Sequence, residues 1–331
     1  MIESTPIPIP TSPAEDTPGG APRSVKARLI SLGKLALTLI VVYYVARALI
    51  DQFKEVSWGD LRLSPGFAAL SVLSTFIVHG GQLLVLVLLL RAHGHRLPWR
   101  VQLGAAWVPP LGKYVPGKVA SIAGAVYIQR QYGVPGSVAV SAALMLDGLS
   151  LIAAAIVSIP LLLSEHVRRE MPNAWAWCIA LGACGLVAAH PRVFGALINL
   201  GLKLLGRAPL TKIPTARMYA MPLAMSFSQW LFSGLALWLM ARALVDISPS
   251  QIPLFIAVAA TAMSISYLAL FSPGGLGVRE YIFFITLGPS IGAPNAALVA
   301  VAMRVAQTLV ELTLAAFGFA TLRSERTRGS R

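Results

Sequence analysis

Residues 65–90 read PGFAALSVLSTFIVHGGQLLVLVLLL and include no Asp, Glu, Lys or Arg. A helix needs about 20 predominantly apolar residues to cross a bilayer, so this stretch is long enough to span one. Four other stretches are comparably apolar, at 29–50, 134–163, 218–245 and 294–320. None shows the strict alternation of a membrane β-strand, which favours helices. The sequence therefore predicts an all-α, polytopic membrane protein with about 6–8 transmembrane helices.

The composition agrees with this class. Of 331 residues, 56% are hydrophobic and 12% are charged, whereas a soluble domain is about 25% charged. The net charge of +14 could indicate nucleic-acid binding. The basic residues flank the apolar stretches, however, so they indicate topology, and we expect no nucleic-acid partner. Residues 1–25 are rich in Pro, Ser, Thr and Gly, which is typical of a disordered tail.

Three basic clusters predict the orientation of the chain. They lie before 29–50, after 65–90 and at the C-terminus, and the positive-inside rule places them in the cytoplasm. Both termini, including the basic tail 321–331, are therefore expected in the cytoplasm, with the protein in the cell inner (plasma) membrane. The clusters are Arg23, Lys26 and Arg28; Arg91, Arg96 and Arg100; and Arg323, Arg326, Arg328 and Arg331.

This orientation requires two segments that each begin and end on one side of the membrane. Residues 101–131 would have both ends in the cytoplasm, and residues 252–293 would have both ends outside. Each is therefore predicted to form a hairpin around a Pro-Gly pair, at 116–117 and 273–274. Arms too short to span suit a re-entrant loop that is buried in protein. The second hairpin could instead be a full span followed by a half.

One sequence offset relates the two parts of the chain. The pair at 116–117 precedes Asp147 by 31 positions, and the pair at 273–274 precedes Arg304 by 31 positions. The offset of 157 also aligns the apolar stretches, 65–90 with 218–245 and 134–163 with 294–320. Matched elements would run in opposite directions across the membrane.

This pattern predicts an inverted-topology repeat with halves at 26–163 and 164–320, and a substrate site at the interface between them. A chance match of apolar stretches is the alternative.

The first Pro-Gly loop offers backbone N–H groups at the start of a helix beside two lysines, which suits an anionic headgroup. It nearly matches a phosphate-binding P-loop, but Val119 replaces the required Ser or Thr and no parallel sheet precedes it, so we expect no nucleotide. The lysines could instead extend to the interface and bind nothing specific. The candidate residues are Lys113, Tyr114, Pro116, Gly117 and Lys118.

The second Pro-Gly loop has several glycines that free the backbone to bend and approach a ligand. Two charged residues then open the next helix. The alternative is a salt bridge at the outer interface. The candidate residues are Pro273, Gly274, Gly275, Gly277, Arg279 and Glu280.

Charged residues also lie deep within the apolar stretches. Asp147 is one, and Arg304, Gln307, Thr308 and Glu311 share one face of the last predicted helix. Charge at that depth is costly, so these side chains should face the protein interior. Asp147 and Arg304 could form a functional or a purely structural ion pair. His79 could relay protons, or it could pack as a buried histidine.

The Lys113–Lys118 segment, the Pro273–Glu280 segment and Arg304 together resemble the lysylphosphatidylglycerol synthase transmembrane-region family, which includes flippase-like membrane proteins. The resemblance implies translocation of an anionic or aminoacylated phospholipid, or of a polyprenyl-linked lipid. It does not imply the synthase reaction. Ser121 and Gly124 stand where the family often has acidic and arginine residues.

We therefore expect a lipid flippase in which Lys113, Lys118, Arg279 and Arg304 receive a lipid phosphate. Asp147, Glu280 and Glu311 would balance or gate those charges. No catalytic motif, metal-ligand cluster or cofactor motif is apparent, so we expect no enzyme, metal or cofactor. The alternative is a scaffold or accessory subunit that presents lipid to a separate glycosyltransferase or aminoacyltransferase. An intramembrane transferase is a third hypothesis.

Overall fold

A computed structural model describes residues 63–114, 119–162, 174–204, 206, 208–209, 216–268, 275 and 277–329. These residues form helices and connecting turns, and they contain no strand. The predicted all-helical fold is confirmed. The predicted tail at 1–25, the apolar stretch 29–50 and both Pro-Gly pairs lie outside the described residues.

The helices follow the apolar stretches closely, and short helices lie between them. In chain order they are α1 (Pro65–Ala92), α2 (Trp99–Trp107), a 3-10 segment (Pro109–Tyr114), α3 (Val119–Arg130), α4 (Gly136–Val157), α5 (Ile159–Leu162), α6 (Ala174–Ala189), α7 (Pro191–Leu204), α8 (Ala216–Leu244), a 3-10 turn (Pro249–Gln251), α9 (Ile252–Leu268), α10 (Val278–Ile291) and α11 (Ala293–Gly329).

Proline and glycine set several helix boundaries. Pro65 occupies the first turn of α1, where the missing N–H costs no hydrogen bond. Pro98 and Pro135 directly precede α2 and α4. Gly292 separates α10 from α11 with φ of +84°, a conformation that residues with a Cβ rarely adopt.

Five stretches of helix are long and apolar enough to cross a membrane. They are Pro65–Ala92, Gly136–Leu161, Met218–Leu244, Pro249–Tyr267 and Ala293–Thr327. The segments Ala183–Ala189 and Arg192–Leu204 would form a sixth span, bent by 78°. These lengths and compositions support a multi-pass membrane protein.

The two predicted hairpins differ in the lengths of their arms. Around the first, α2 has 9 residues and α3 has 12, so both arms are too short to span. Around the second, α9 is a candidate span, whereas α10 has 14 residues and a length of about 21 Å. The second segment therefore matches the alternative of a full span followed by a half. Entry of either hairpin into a bilayer stays a prediction.

The described helices recur in order at the predicted offset. Adding 157 places α1 on α8, α2 on α9, α3 on α10 and α4 on α11. Within each set, the corresponding pairs of helices pack together. Contacts between the sets also correspond. α4 packs on α8 and α9, and α11, which corresponds to α4, packs on α1 and α2.

A two-fold relation between the sets would produce this correspondence of contacts, and α1 and α8, which correspond, pack extensively on each other. The division of the chain into halves at 26–163 and 164–320 stays a prediction.

The helices pack around two apolar cores, one mainly in each set, and polar bonds join the sets. One core contains Leu237, Phe255, Leu287 and Met303, and the other contains Leu89, Val101, Met145 and Phe194. Ser71 donates a hydrogen bond of 2.7 Å from α1 to the Ala236 carbonyl in α8. Trp230 in α8 donates one of 2.8 Å to the Ser150 carbonyl in α4. Such interhelical bonds stabilise helix packing where lipid supplies little hydrophobic driving force.

Candidate functional site

The helix α10 begins at a glycine whose backbone suits the turn. Gly277 has φ of +82°, and its N–H donates a hydrogen bond of 2.8 Å to Oε2 of Glu280. An acidic side chain at this position also favours the positive end of the helix dipole. The local sequence therefore positions the Glu280 carboxylate at the start of α10.

Glu280 lies between two arginines in the protein interior. Its Oε1 is 3.6 Å from Nη2 of Arg279 and 3.4 Å from Nη1 of Arg304. The side chains of Arg279, Glu280 and Arg304 are 5%, 7% and 14% exposed, respectively. This charge cluster, defined by these three residues, joins α10 to α11. Arg279 also contacts α9 through Met263 Sδ at 3.2 Å.

A small polar cavity lies beside the charge cluster. Its volume is about 60 Å³, and helices of both sets line it. Thr75, His79 and Gln82 come from α1; Ser150 from α4; Gln229, Trp230 and Ser233 from α8; Met263 and Tyr267 from α9; Arg279 from α10; and Met303, Gln307 and Glu311 from α11. Ser150 and Gln307, which the offset of 157 relates, both line it.

Electrostatic contacts extend this site to α4. The phenol of Tyr267 interacts with the charges of Asp147, Glu311 and Arg279. His79 Nδ1 lies 3.2 Å from Gln82 Oε1, and the His79 carbonyl accepts a hydrogen bond from the Trp107 indole at 3.4 Å. The cavity therefore offers cationic, anionic and neutral polar groups within one space.

The structure brings together one part of the predicted site. Arg279 and Glu311 line the cavity, Glu280 and Arg304 lie beside it, and Asp147 interacts with Tyr267. Arg279 and Glu280 form a buried salt bridge, and whether this salt bridge lies at the outer interface stays a prediction. The predicted Asp147–Arg304 pairing stays a prediction.

The two Pro-Gly loops are described only in part. Lys113 and Tyr114 belong to the 3-10 segment, and Pro116, Gly117, Lys118, Pro273 and Gly274 lie outside the described residues. Gly275 is buried with φ of +67°, and a Cβ there would lie 2.7 Å from Cβ of Ser266. The second loop therefore approaches α9 closely at Gly275, and its predicted approach to a ligand stays a prediction.

Sequence reasoning missed Ser150, Gln229 and Tyr267 as cavity residues. Each is a polar residue within an apolar stretch, which was the available signal. Neutral polar side chains are common in membrane helices, however, and their inward orientation follows from helix packing.

The fold and this site define a multi-pass helical membrane protein with buried charges beside a polar cavity between two related sets of helices. The family model described as "Lysylphosphatidylglycerol synthase TM region" matches residues 31–315. The chain belongs to this family, and the match covers the described residues of the site. No curated protein matches the chain.

Proposed function

We propose that this protein translocates an anionic or aminoacylated phospholipid, or a polyprenyl-linked lipid, across the cell inner membrane, with both termini in the cytoplasm. The buried charge cluster beside a polar cavity between the helix sets is the observation that carries this proposal. Burying ions costs several kcal/mol each unless they are paired. A lipid headgroup crossing hydrocarbon has the same cost, and a polar path through the protein lowers it.

The charges of the cavity favour one kind of headgroup. Arg279 and Glu311 line the same space, so it offers a partner for a phosphate and a partner for an ammonium group. An aminoacylated phospholipid carries both groups, whereas a purely anionic headgroup would be repelled by the Glu311 carboxylate. Among the candidate lipids, an aminoacylated phospholipid therefore fits the cavity best.

The cavity volume bears on the transport cycle. About 60 Å³ suffices for a few water molecules, because each occupies about 10–15 Å³ on this measure. A phospholipid headgroup is larger, so the helices that line the cavity must separate during transport. In the proposed cycle a cavity of this size belongs to a closed state, and relative movement of the two helix sets would open it.

The experiment that tests this function measures headgroup accessibility in proteoliposomes. Purified protein is reconstituted with a labelled aminoacylated phospholipid in one leaflet, and exchange to the other leaflet is followed. We expect Arg279→Gln and Arg304→Ala to reduce the protein-dependent exchange rate at least about tenfold, which corresponds to a buried charge that lowers the crossing barrier by about 1.4 kcal/mol or more.

Arg242→Gln is the matched control, because Arg242 pairs with Asp246 at the end of α8, outside the cavity. Its exchange rate should equal that of the wild type. Normal exchange by folded Arg279→Gln and Arg304→Ala would contradict the site assignment. No exchange by the wild type, with co-purification of a transferase, would favour the accessory subunit. Turnover in detergent would indicate an intramembrane transferase.

A further inference from the structure

A second, larger space opens beside the polar cavity. This lateral groove has a volume of about 820 Å³, within the range of about 300–1,000 Å³ that is usual for ligand sites. Four helices wall it: α1 contributes Ile77, Gly80, Gly81, Leu83 and Leu84; α2 contributes Trp99, Arg100, Leu103 and Trp107; α8 contributes Met225, Ser228, Gln229 and Phe232; and α11 contributes Phe317 and Thr321.

The lining of the groove is mostly apolar. Leu84, Phe232 and Phe317 line it and are exposed. Trp99 and Arg100 mark the end where α2 begins, close to the basic residues that follow α1. An amphipathic tryptophan beside a basic residue is typical of the membrane interface.

Gln229 links the groove to the polar cavity. Its side chain lines both spaces, and the residue is 8% exposed. Its Nε2 has no hydrogen-bond partner among the described residues. A buried amide donor usually has a partner, so an acceptor supplied by a ligand or by water is expected at this wall.

The glycine pair of α1 keeps the groove open. A Cβ at Gly80 would meet no atom within 4 Å, while one at Gly81 would lie 2.9 Å from Cγ of Gln229. At the offset of 157, the positions equivalent to Gly80 and Gly81 carry Leu237 and Trp238, and both are buried. Leu237 and Trp238 fill the equivalent place in the other helix set, so the groove lies beside the glycine pair of α1.

One end of the groove can receive a phosphate. The Arg100 guanidinium lies 3.4 Å from Ser324 Oγ and 3.8 Å from Glu325 Oε2, and its side chain is 37% exposed. These contacts are long, so the guanidinium can also bind an anion from the groove. Charge therefore favours a lipid with its phosphate at Arg100 and its tail toward Gly80.

We propose that this groove is the lateral binding site for the acyl chain of the phospholipid, and that Gln229 forms the gate between the groove and the polar cavity. This inference rests on the proposed function and adds the route by which the lipid reaches the cavity. The phosphate binds at Arg100 while the tail lies between α1 and α8. The headgroup then passes Gln229 while the tail stays in the groove.

A photoreactive phenylalanine derivative at position 228 identifies the occupant. Ser228 is exposed in the groove and donates a hydrogen bond to the Met225 carbonyl of its own helix. In liposomes that contain the aminoacylated phospholipid of the exchange assay, illumination should attach that phospholipid to the full-length protein, which mass spectrometry detects. A link to residues 29–50 of the same chain, or to a second copy, would overturn the inference.

Gly80→Leu tests whether the groove is needed. No atom lies within 4 Å of a Cβ at position 80, and leucine has a better helix propensity than glycine, so the variant should fold. We expect at least a tenfold loss of lipid cross-linking and of lipid exchange. Gly66→Leu is the matched control, because Gly66 lies in α1 with equally open space but outside the groove.

The outcomes separate this inference from the proposed function. If Arg279→Gln abolishes exchange while Gly80→Leu cross-links lipid and exchanges it like the wild type, the groove inference fails and the function stands. If the wild type exchanges no lipid but position 228 cross-links lipid in a manner that Gly80→Leu abolishes, the function fails and the groove remains a lipid site.

Discussion

Oε1 of Glu280 lies 3.4 Å from Nη1 of Arg304 and so joins α10 to α11 in the protein interior. The same carboxyl group holds Arg279 through Oε1 and the Gly277 N–H through Oε2. One acidic side chain thus positions the loop, the start of α10 and two cations. Its removal should affect both stability and transport.

Glu280→Gln should lower the stability of the protein strongly. The amide can still accept from Gly277, but two buried guanidinium groups lose their shared carboxylate. Removing one partner of a buried ion pair costs about 3–5 kcal/mol. The melting temperature in detergent measures this effect. Arg242→Gln removes a pair in which Asp246 is exposed, so it should cost less than about 1 kcal/mol. Equal melting temperatures for the two variants would contradict the role of Glu280.

Double-mutant cycles should distinguish the partners of Arg304. Combining Glu280→Gln with Arg304→Gln should give a coupling energy of about 0.5–3 kcal/mol, as is usual for residues in contact. The cycle of Asp147→Asn with Arg304→Gln tests the pair expected from the repeat. Unfolding in mixed micelles measures both energies. Additivity within about 0.3 kcal/mol in the second cycle would exclude the Asp147–Arg304 pair.

Gly234→Ala should disrupt the contact between α8 and α9. A Cβ at Gly234 would lie 2.1 Å from Cα of Ile256, and this backbone atom cannot move unless the whole helix moves. Overpacking of this kind costs about 1–3 kcal/mol or more. Folded yield and melting temperature measure the loss. Gly66→Ala has no atom near the new Cβ and should be neutral or slightly stabilising. A stable Gly234→Ala variant would show that the helices are farther apart.

Trp230→Phe should weaken the connection between α4 and α8. An aromatic side chain is kept, but the hydrogen bond of 2.8 Å from the indole to the Ser150 carbonyl is lost. Because Trp230 is buried and phenyl is smaller than indole, the variant also leaves a cavity, whose cost adds to that of the hydrogen bond. Interhelical hydrogen bonds in membranes are worth about 0.6 kcal/mol on average and about 1.7 at most. Unfolding in mixed micelles measures the change. Because Trp230 also lines the cavity, a fall in lipid exchange larger than this energy predicts would indicate direct contact with the headgroup.

Much of the fold was predictable from the pattern of apolar residues. The stretches 65–90, 134–163, 218–245 and 294–320 correspond to α1, α4, α8 and α11. A bilayer satisfies no backbone hydrogen bonds, so long apolar stretches have few structures available to them. The offset of 157, found from the Pro-Gly pairs and the apolar stretches, also relates α2 to α9 and α3 to α10 in the structure.

The sequence by itself thus determined the class of protein, the helix order and the residues whose charge is costly at depth, including Asp147, Arg304 and Glu311. Only the tertiary structure decided that Glu280 pairs with Arg304 and that Gln229 lies between the cavity and the groove. It also decided that Gly80 leaves the groove open beside α1. Helical periodicity fixes which residues share a face of one helix. The partner of that face depends on how separate helices pack, and packing is set by the shapes of many side chains at once.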